Sequence, residues 1–590
     1  MRDLLSSLLA IVAIALAAFG VGRPLLRKLA IAEDDLFSTV VWGLSLGLVA
    51  AGWLFSWLAL AGCLSVPVVL VFTIAGGFWG LGEIFCCWLE WRAGAVVDLL
   101  ADFRRAQAGP PMPPGTALAL GILACLAAAG ALVSALAPPD SPEALTHCLE
   151  LSKTFLLSHG VAPLPYNDYA PGPLLTEMWY AWALALDGPV AAGLLQWMFG
   201  ALLAAAAVLL ARPLVGRRAA PVCGALVLLT PGVSYQMGAP LDDLALALFT
   251  SLLLTAWWQG AICARGNRWL IAAGIMAGAA AGTKLVGLVF ATAVLAVSIA
   301  VRRQRLESWQ VARRMAVHAL CPAVLVGGIG YLWAAWHGGP IAAEESCPGA
   351  MQQIGALLIA ALPGLLLVRR AEALKPFFCV ALVYGAVTAA CFANLRCWAP
   401  LVPLLSVAAT LVWREVVAGQ GFARRLAQFG LLLLAVWSAA IPLARARGQF
   451  AVAIGWQSRE DYLVRHQAIY PAALLANQIM RPGDCLLSQD PHTFYFSYPA
   501  TDARAYHRCV GSLASTGGES ISQQLRSAGF THVLLAEPAL QSPFGSENDL
   551  GERIGREIEQ SGQTSVLPLA EYQWSDASST ARRYRLVKLR

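Results

Sequence analysis

The chain has 590 residues, of which 58% are apolar and only 13% are charged, with a formal net charge of +6. A soluble globular chain carries about a quarter charged residues, so this composition excludes a water-soluble protein over most of its length. The basic residues sit in short clusters between apolar runs without an aromatic partner pattern, so they carry topology information and exclude nucleic acid as a partner.

Apolar runs of about 20 residues, the length that crosses hydrocarbon, recur from Leu4 to Leu443. The first could pass for a signal peptide but lacks a small-residue cleavage site, so it reads as a spanning helix. Spans are predicted at 4–21, 36–61, 65–89, 115–137, 190–211, 219–236, 241–260, 269–284, 285–301, 315–336, 352–368, 376–393, 398–413 and 427–444. Basic clusters such as Arg23/Arg27/Lys28, Arg104/Arg105, Arg217/Arg218, Arg302/Arg303 and Arg424/Arg425 then all fall on the cytoplasmic side. The threading requires that 174–186, with Glu177 and two tryptophans, lie at the outer interface without crossing. Arg445 and Arg447 stand against the charge rule, beside a translocated domain.

Beyond this the chain changes character. The division is 1–445 as a transmembrane domain, with a long outer loop at 138–189, and 446–590 as a small domain on the outer side. Strand-like runs at 485–488, 493–497, 531–536 and 584–589 alternate with helical stretches at 520–528 and 552–561, which reads as α/β. The fourteen cysteines are scattered with no CxxC, so no zinc or redox motif is supported; Cys485 and Cys509 are a pair that an oxidising compartment could join. The fold class is thus an α-helical polytopic membrane protein of roughly 13–14 spanning helices with a C-terminal α/β domain.

The outer loop is a polar, acid-bearing island. Asp140 and Glu143 flank Ser141-Pro142, a helix start, so both acids have a plain reading as first-turn residues complementing the dipole. The functional reading is a carboxylate outside the membrane that takes a proton from an acceptor hydroxyl. His147 lies four residues after Glu143, on the same helical face, so the two can form an acid–base pair or contribute to a divalent metal site. Tyr166, Asn167, Asp168 and Tyr169 close the loop as acceptor or loop contacts.

Asp242 and Asp243 stand at the mouth of a spanning helix, where they are a helix cap or a second acidic site facing the same space. Lys284, between two apolar runs, and Arg396, at the end of a span, each need an anion that a lipid-linked phosphate can supply; lipid headgroups or a nearby acid are the plain alternative.

In this order and on one common side, these segments resemble the GT-C superfamily of polytopic glycosyltransferases, in particular the bacterial protein-mannosyltransferase-like and aminoarabinose-transferase-like branch. Glu143-Ala-Leu-Thr-His-Cys resembles the family's acidic start, with Asp140 as a rival. Pro165-Tyr-Asn-Asp-Tyr-Ala-Pro-Gly-Pro resembles the segment leading to the interfacial helix. Asp243-Leu-Ala-Leu looks like the second acidic site, Gly282-Thr-Lys the later lysine motif, and Arg396-Cys-Trp-Ala-Pro the arginine turn. The family usually has aspartate where Glu143 stands, and a lysine before paired prolines where Ala170-Pro171-Gly172-Pro173 stands.

The resemblance implies inverting transfer of a sugar from a polyprenyl-phosphate donor to an envelope glycan, lipid or protein acceptor on the outer face of a bacterial inner membrane. It makes Glu143 or Asp140 the base, with Asp243 and Asp242 orienting the acceptor, and gives Lys284 and Arg396 the donor phosphate. The residues leave open a divalent metal, magnesium or manganese, on Glu143, His147 and Asp243. The alternative is a transporter or flippase of a lipid-linked or acidic solute, against which stand the acids clustered at one face and the lack of an internal repeat.

Overall fold

The computed structural model describes residues 2–31, 35–92, 114–161, 172–304, 309–337, 350–367, 374–391, 395–418, 421–503, 506, 521–537, 565–567 and 583–589. Among them, nine helices are long and apolar enough to cross a membrane, and three shorter apolar helices accompany them. The protein is therefore a multi-pass membrane protein with the helical layout that its hydropathy requires.

Helices α1 (Arg2–Leu29), α2 (Leu36–Leu60) and α3 (Val66–Arg92) form one tight group. Glycine makes the approach possible: a Cβ on Gly80 would stand 2.1 Å from the Leu16 carbonyl oxygen of α1. Such small-residue contacts replace hydrophobic driving force between helices in lipid. At the far end of this group Arg27 pairs with Glu83, and Arg23 with Glu90 at 2.6 Å. At the near end the start of α1 meets the C-terminal part of the chain, where Arg459 donates to the Asp3 carbonyl at 2.9 Å.

Then follow α4 (Pro114–Leu136), a π turn at Ala144–Cys148, α5 (Leu149–Leu157), α6 (Leu175–Leu186) and α7 (Pro189–Val215). The expected span 219–236 is broken into α8 (Ala220–Leu228) and α9 (Pro231–Gln236). Thr230 is extended there, as a residue preceding proline must be. Next come α10 (Asp243–Trp257), α11 (Asn267–Thr283), α12 (Leu285–Gln304), α13 (Trp309–His337), α14 (Ala350–Ala361) and α15 (Lys375–Cys391). The bundle closes with α16 (Val402–Ala418) and α17 (Phe422–Ala453). Helix α17 continues without a break through Arg445, where the sequence reading divides the two domains.

Helix α6 differs from its expected setting. Its 12 residues reach only about 18 Å, too short to cross about 30 Å of hydrocarbon. It does not lie exposed at an interface, however: Leu175 to Ala183 are all buried. Trp179 donates to the Leu48 carbonyl of α2 at 2.8 Å, and Trp182 to Thr73 of α3 at 2.7 Å. The indole N–H groups that favour a wet interface find their partners inside the bundle instead.

The C-terminal part adds helices α18 (Arg459–His466), α19 (Tyr470–Ile479) and α20 (Ile521–Ser527). Its strands are β1 (Leu486–Ser488), β2 (Ala500–Asp502), β3 (His532–Glu537), β4 (Ser565–Leu567) and β5 (Arg583–Lys588). They form one sheet in the order β2-β1-β3-β5-β4, with β1 parallel to β2 and β3, and β5 antiparallel to β3 and β4. Leu486, Leu534 and Leu586 pack on one face and Leu487, Val533 and Val587 on the other, the alternation of a sheet covered on both sides. The strand expected at 493–497 is a series of turns; the edge strand lies just after it, at Ala500–Asp502. The tyrosines and phenylalanines of 494–498 mimic a strand, yet Phe494 packs into the helical bundle while Phe496 and Tyr498 pack against the sheet, with Tyr495 touching both. Cys509 and the helix expected at 552–561 lie outside the described residues, and Cys485 is a free thiol.

Candidate active site

Helices α11 and α12 form a hairpin with a single extended residue at its tip, Lys284, at φ −159° and ψ 145°. Gly287 allows this turn, because a Cβ there would sit 2.0 Å from the Ala280 carbonyl oxygen. The turn carries Lys284 to the start of α10. Its ammonium donates to Asp243 Oδ1 at 3.0 Å and to Asp242 Oδ1 at 3.1 Å. Asp243 is 1% exposed and also accepts from Gln236 Nε2 at 2.8 Å. Asp242 holds the N-cap position of α10, but its side chain makes no capping bond and turns to Lys284. Three residues singled out in separate motifs thus meet in one cluster.

Helix α6 lies against this cluster. The Tyr180 hydroxyl donates to the Leu241 carbonyl and is 2.9 Å from Gln196 Oε1. Thr176 is 3.5 Å from the Thr283 carbonyl, next to Lys284. Leu175 occupies the space where a Cβ on Gly282 would stand. Glu177 is buried between these anchors. Burial pushes its carboxyl up to about 8; a bond from its own backbone opposes this, and the charge of Asp242 adds to it. Sequence reasoning passed over Glu177 and Tyr180 as site residues. The available signal was a lone acid in the first turn of an otherwise apolar helix.

The acids of the outer loop take a different arrangement. Glu143 and His147 are half-buried; Glu143 precedes and His147 lies within the π turn at 144–148, in which the Leu149 N–H reaches back to Ala144. They therefore lie on a wider turn than the α-helix expected from their spacing. The Ser141 hydroxyl, read as an N-cap, is buried with no partner among the described residues.

Asp140 is drawn to the C-terminal part of the chain. It accepts from Arg445 at 3.3 Å, Gln449 at 3.3 Å and Tyr462 at 3.1 Å. Its backbone carbonyl accepts from Gln467 at 2.7 Å, and Pro139 accepts from Tyr495 at 2.9 Å. Arg445 also stacks over the Tyr235 ring at 4.3 Å. The arginine that offends the charge rule thus has an acid and an aromatic face to hold it. Nearby, Lys153 of α5 binds Glu150 at 2.7 Å and the carbonyls of Phe494 and Phe496.

Tyr166, Asn167, Asp168 and Tyr169 lie outside the described residues. Arg396 falls in the 3-10 segment Leu395–Leu401, and its side chain lies outside them too. Among the described residues no three His, Cys, Asp or Glu side chains gather as a metal would require. The Asp243 oxygens are engaged by Gln236 Nε2 and Lys284 Nζ.

The fold of the chain matches solved structures. The chain aligns with ArnT from Cupriavidus metallidurans bound to undecaprenyl phosphate at a TM-score of 0.54 and 16% identity, over 79% of this chain and 97% of that one. This is the GT-C fold. The apo state of the same Cupriavidus protein gives a TM-score of 0.52 at 17% identity with the same coverage. A weaker likeness, with a TM-score of 0.45 and 12% identity over 71% and 69% of the two chains, is to the archaeal oligosaccharyltransferase AglB from Archaeoglobus fulgidus.

Residues 180–338 of this chain match the dolichyl-phosphate-mannose-protein mannosyltransferase family. That segment contains Tyr180, Asp242, Asp243 and Lys284. No curated protein matches the sequence.

Proposed function

We propose that this GT-C chain is a membrane glycosyltransferase that moves a sugar from a polyprenyl-phosphate donor to an envelope glycan, lipid or protein acceptor. The observation that carries the reading is the Lys284–Asp242–Asp243 cluster, buried at the head of the bundle within the mannosyltransferase-like segment. An ammonium presented there by a helical hairpin is suited to a phosphate that gains charge as its sugar departs.

The chemistry follows from charge. The acceptor hydroxyl must lose a proton as its oxygen attacks the anomeric carbon, and we assign that proton to Glu143, a half-buried carboxylate. The bond from that carbon to the phosphate oxygen breaks, and Lys284, with Arg396, stabilises the leaving phosphate. Asp243 and Asp242 hold the Lys284 ammonium in place before the donor arrives. Asp140 positions the loop that carries Glu143 by tying it to Arg445 and Tyr462. By the distribution of basic residues, the head of the bundle and the C-terminal domain face the periplasm of a bacterial inner membrane. A flippase would keep its ionisable groups near the bilayer midplane, away from this end.

The test is label transfer in membranes containing the full chain, supplied with polyprenyl-phosphate mannose labelled in the sugar and a mixed envelope acceptor pool. Wild type transfers label, and folded Glu143→Gln and Asp243→Asn do not. Equal transfer in all three, or none in wild type with hexose and pentose donors alike, overturns the reading. A cysteine introduced near Arg590 is labelled from outside by an impermeant reagent if the C-terminal domain is periplasmic.

A further inference from the structure

One buried titratable group in the cluster has no part in this mechanism. Glu177 is 6% exposed, and its Oε2 has no hydrogen-bond partner among the described residues. Its helix is fixed on both sides of it, by Thr176 against Thr283 and by Tyr180 against Leu241, so it cannot swing to water without undocking α6. The charge of Asp242 bears on it, and Asp242 shares one ammonium, that of Lys284, with Asp243. A third carboxylate in that enclosure would be desolvated and repelled, and a buried carboxyl so placed keeps its proton.

The remaining groups near α6 do not change this balance. Tyr180 is a phenol whose proton burial holds firmly, and Cys148, at the end of the π turn, lies close enough to act on it. Glu150 and Lys153 of α5 satisfy one another at 2.7 Å. Among the described residues, helices α2, α3 and α7 offer α6 the Leu48 carbonyl, Thr73 and Gln196, the π turn packed on it carries His147 with Glu143 just before it, and Ser7 of α1 holds Asp187 at its far end.

We propose that Glu177 is a positioning residue of the transfer site, present as the uncharged acid beside Asp242, and that its ionisation shuts the site by drawing Lys284 away from the donor phosphate. The inference rests on the glycosyltransferase reading above. While Glu177 is neutral, Lys284 answers to two aspartates and can turn toward the phosphate. Once Glu177 ionises, three carboxylates compete for the ammonium, and the arriving phosphate meets a more negative site. Because the carboxyl is raised to about 8, the neutral form dominates below that pH and is lost above it.

The experiment compares wild type with Glu177→Gln, an isostere that stays neutral, using the full chain in lipid nanodiscs. Sugar transfer from polyprenyl-phosphate mannose is followed across pH, and the protonated-carboxyl infrared band is recorded on the same samples. Wild-type transfer falls about tenfold between about pH 7 and about pH 9, while Glu177→Gln stays within about threefold of its neutral value throughout. The infrared band is present in wild type near neutrality, fades over the same range, and is missing from Glu177→Gln. The same alkaline fall in both proteins, a folded Glu177→Gln that is inactive at every pH, or no such band in wild type overturns the role given to Glu177. No transfer by wild type at any pH, with the band present and titrating, instead overturns the glycosyltransferase reading, and this role with it.

Discussion

Lys284 and Asp243 meet as a buried ion pair at 3.0 Å, although one closes a helical hairpin and the other opens a helix 41 positions earlier. The pair ties the tip of α11–α12 to the start of α10, and Asp242 doubles it at 3.1 Å. Breaking a buried pair from one side leaves an uncompensated charge, whereas removing both charges does not. Lys284→Ala should therefore cost about 3–5 kcal/mol, read as a lower Tm in detergent. Lys284→Met combined with Asp243→Asn and Asp242→Asn, which removes all three charges, should recover much of that stability while remaining unable to transfer sugar. Recovery of transfer in the triple variant would remove Lys284 from the chemistry.

Asp140 and Glu143, three residues apart, should respond differently to neutralisation. Asp140→Asn weakens the tie to Arg445, Gln449 and Tyr462, so it should lower stability by about 1–3 kcal/mol and transfer by no more than about tenfold. Glu143→Gln should reduce transfer by about 100-fold or more, as loss of a general base does. The reverse pattern would make Asp140 the base.

Gly287 supplies a backbone test that leaves every site side chain in place. A Cβ there meets a backbone oxygen that has no freedom to withdraw, so Gly287→Val should open the α11–α12 turn and displace Lys284. We expect loss of transfer together with a clear drop in Tm. Gly385, which would meet nothing within 4 Å, should accept the same change without effect.

In the C-terminal domain, Asp490 is buried and accepts from Tyr584 at 2.7 Å and from His492 Nδ1 at 2.5 Å. Burial pushes its carboxyl up, but the His492 charge and these bonds outweigh that and hold it down at about 2. A carboxyl depressed on folding stabilises above its unfolded value and loses that contribution as pH falls toward its folded value. The domain should lose about 2 kcal/mol as pH falls from about 4 to about 2. His492→Ala should shift acid unfolding, followed by near-ultraviolet circular dichroism, to higher pH.

Much of this architecture was legible along the chain, and the site was legible only in pieces. The spans from Leu4 to Leu443 stood out because a bilayer demands about 20 apolar residues whatever surrounds them. The helix that does not cross, 175–186, stood out for its shortness. Asp242, Asp243, Lys284 and Glu143 drew notice one by one, because an ionisable group at a membrane helix end is costly wherever the helix packs. The strand pattern at 493–497 misled, since aromatic residues that alternate for a sheet also serve a turn wedged between the helical bundle and the sheet.

The sequence by itself determined the multi-pass helical membrane character, the α/β character of the C-terminal part and the chemical types available near the cluster, all local properties of composition and period. Only the tertiary structure decided that Lys284 belongs to both aspartates, that Asp140 faces Arg445 and Tyr462, and that α6 is enclosed with Glu177 inside it. Each of these depends on partners dozens to hundreds of residues distant. Whether a carboxyl is a surface cap, half of an ion pair or a neutral acid is set by the charges and the water left around it, and packing alone decides those.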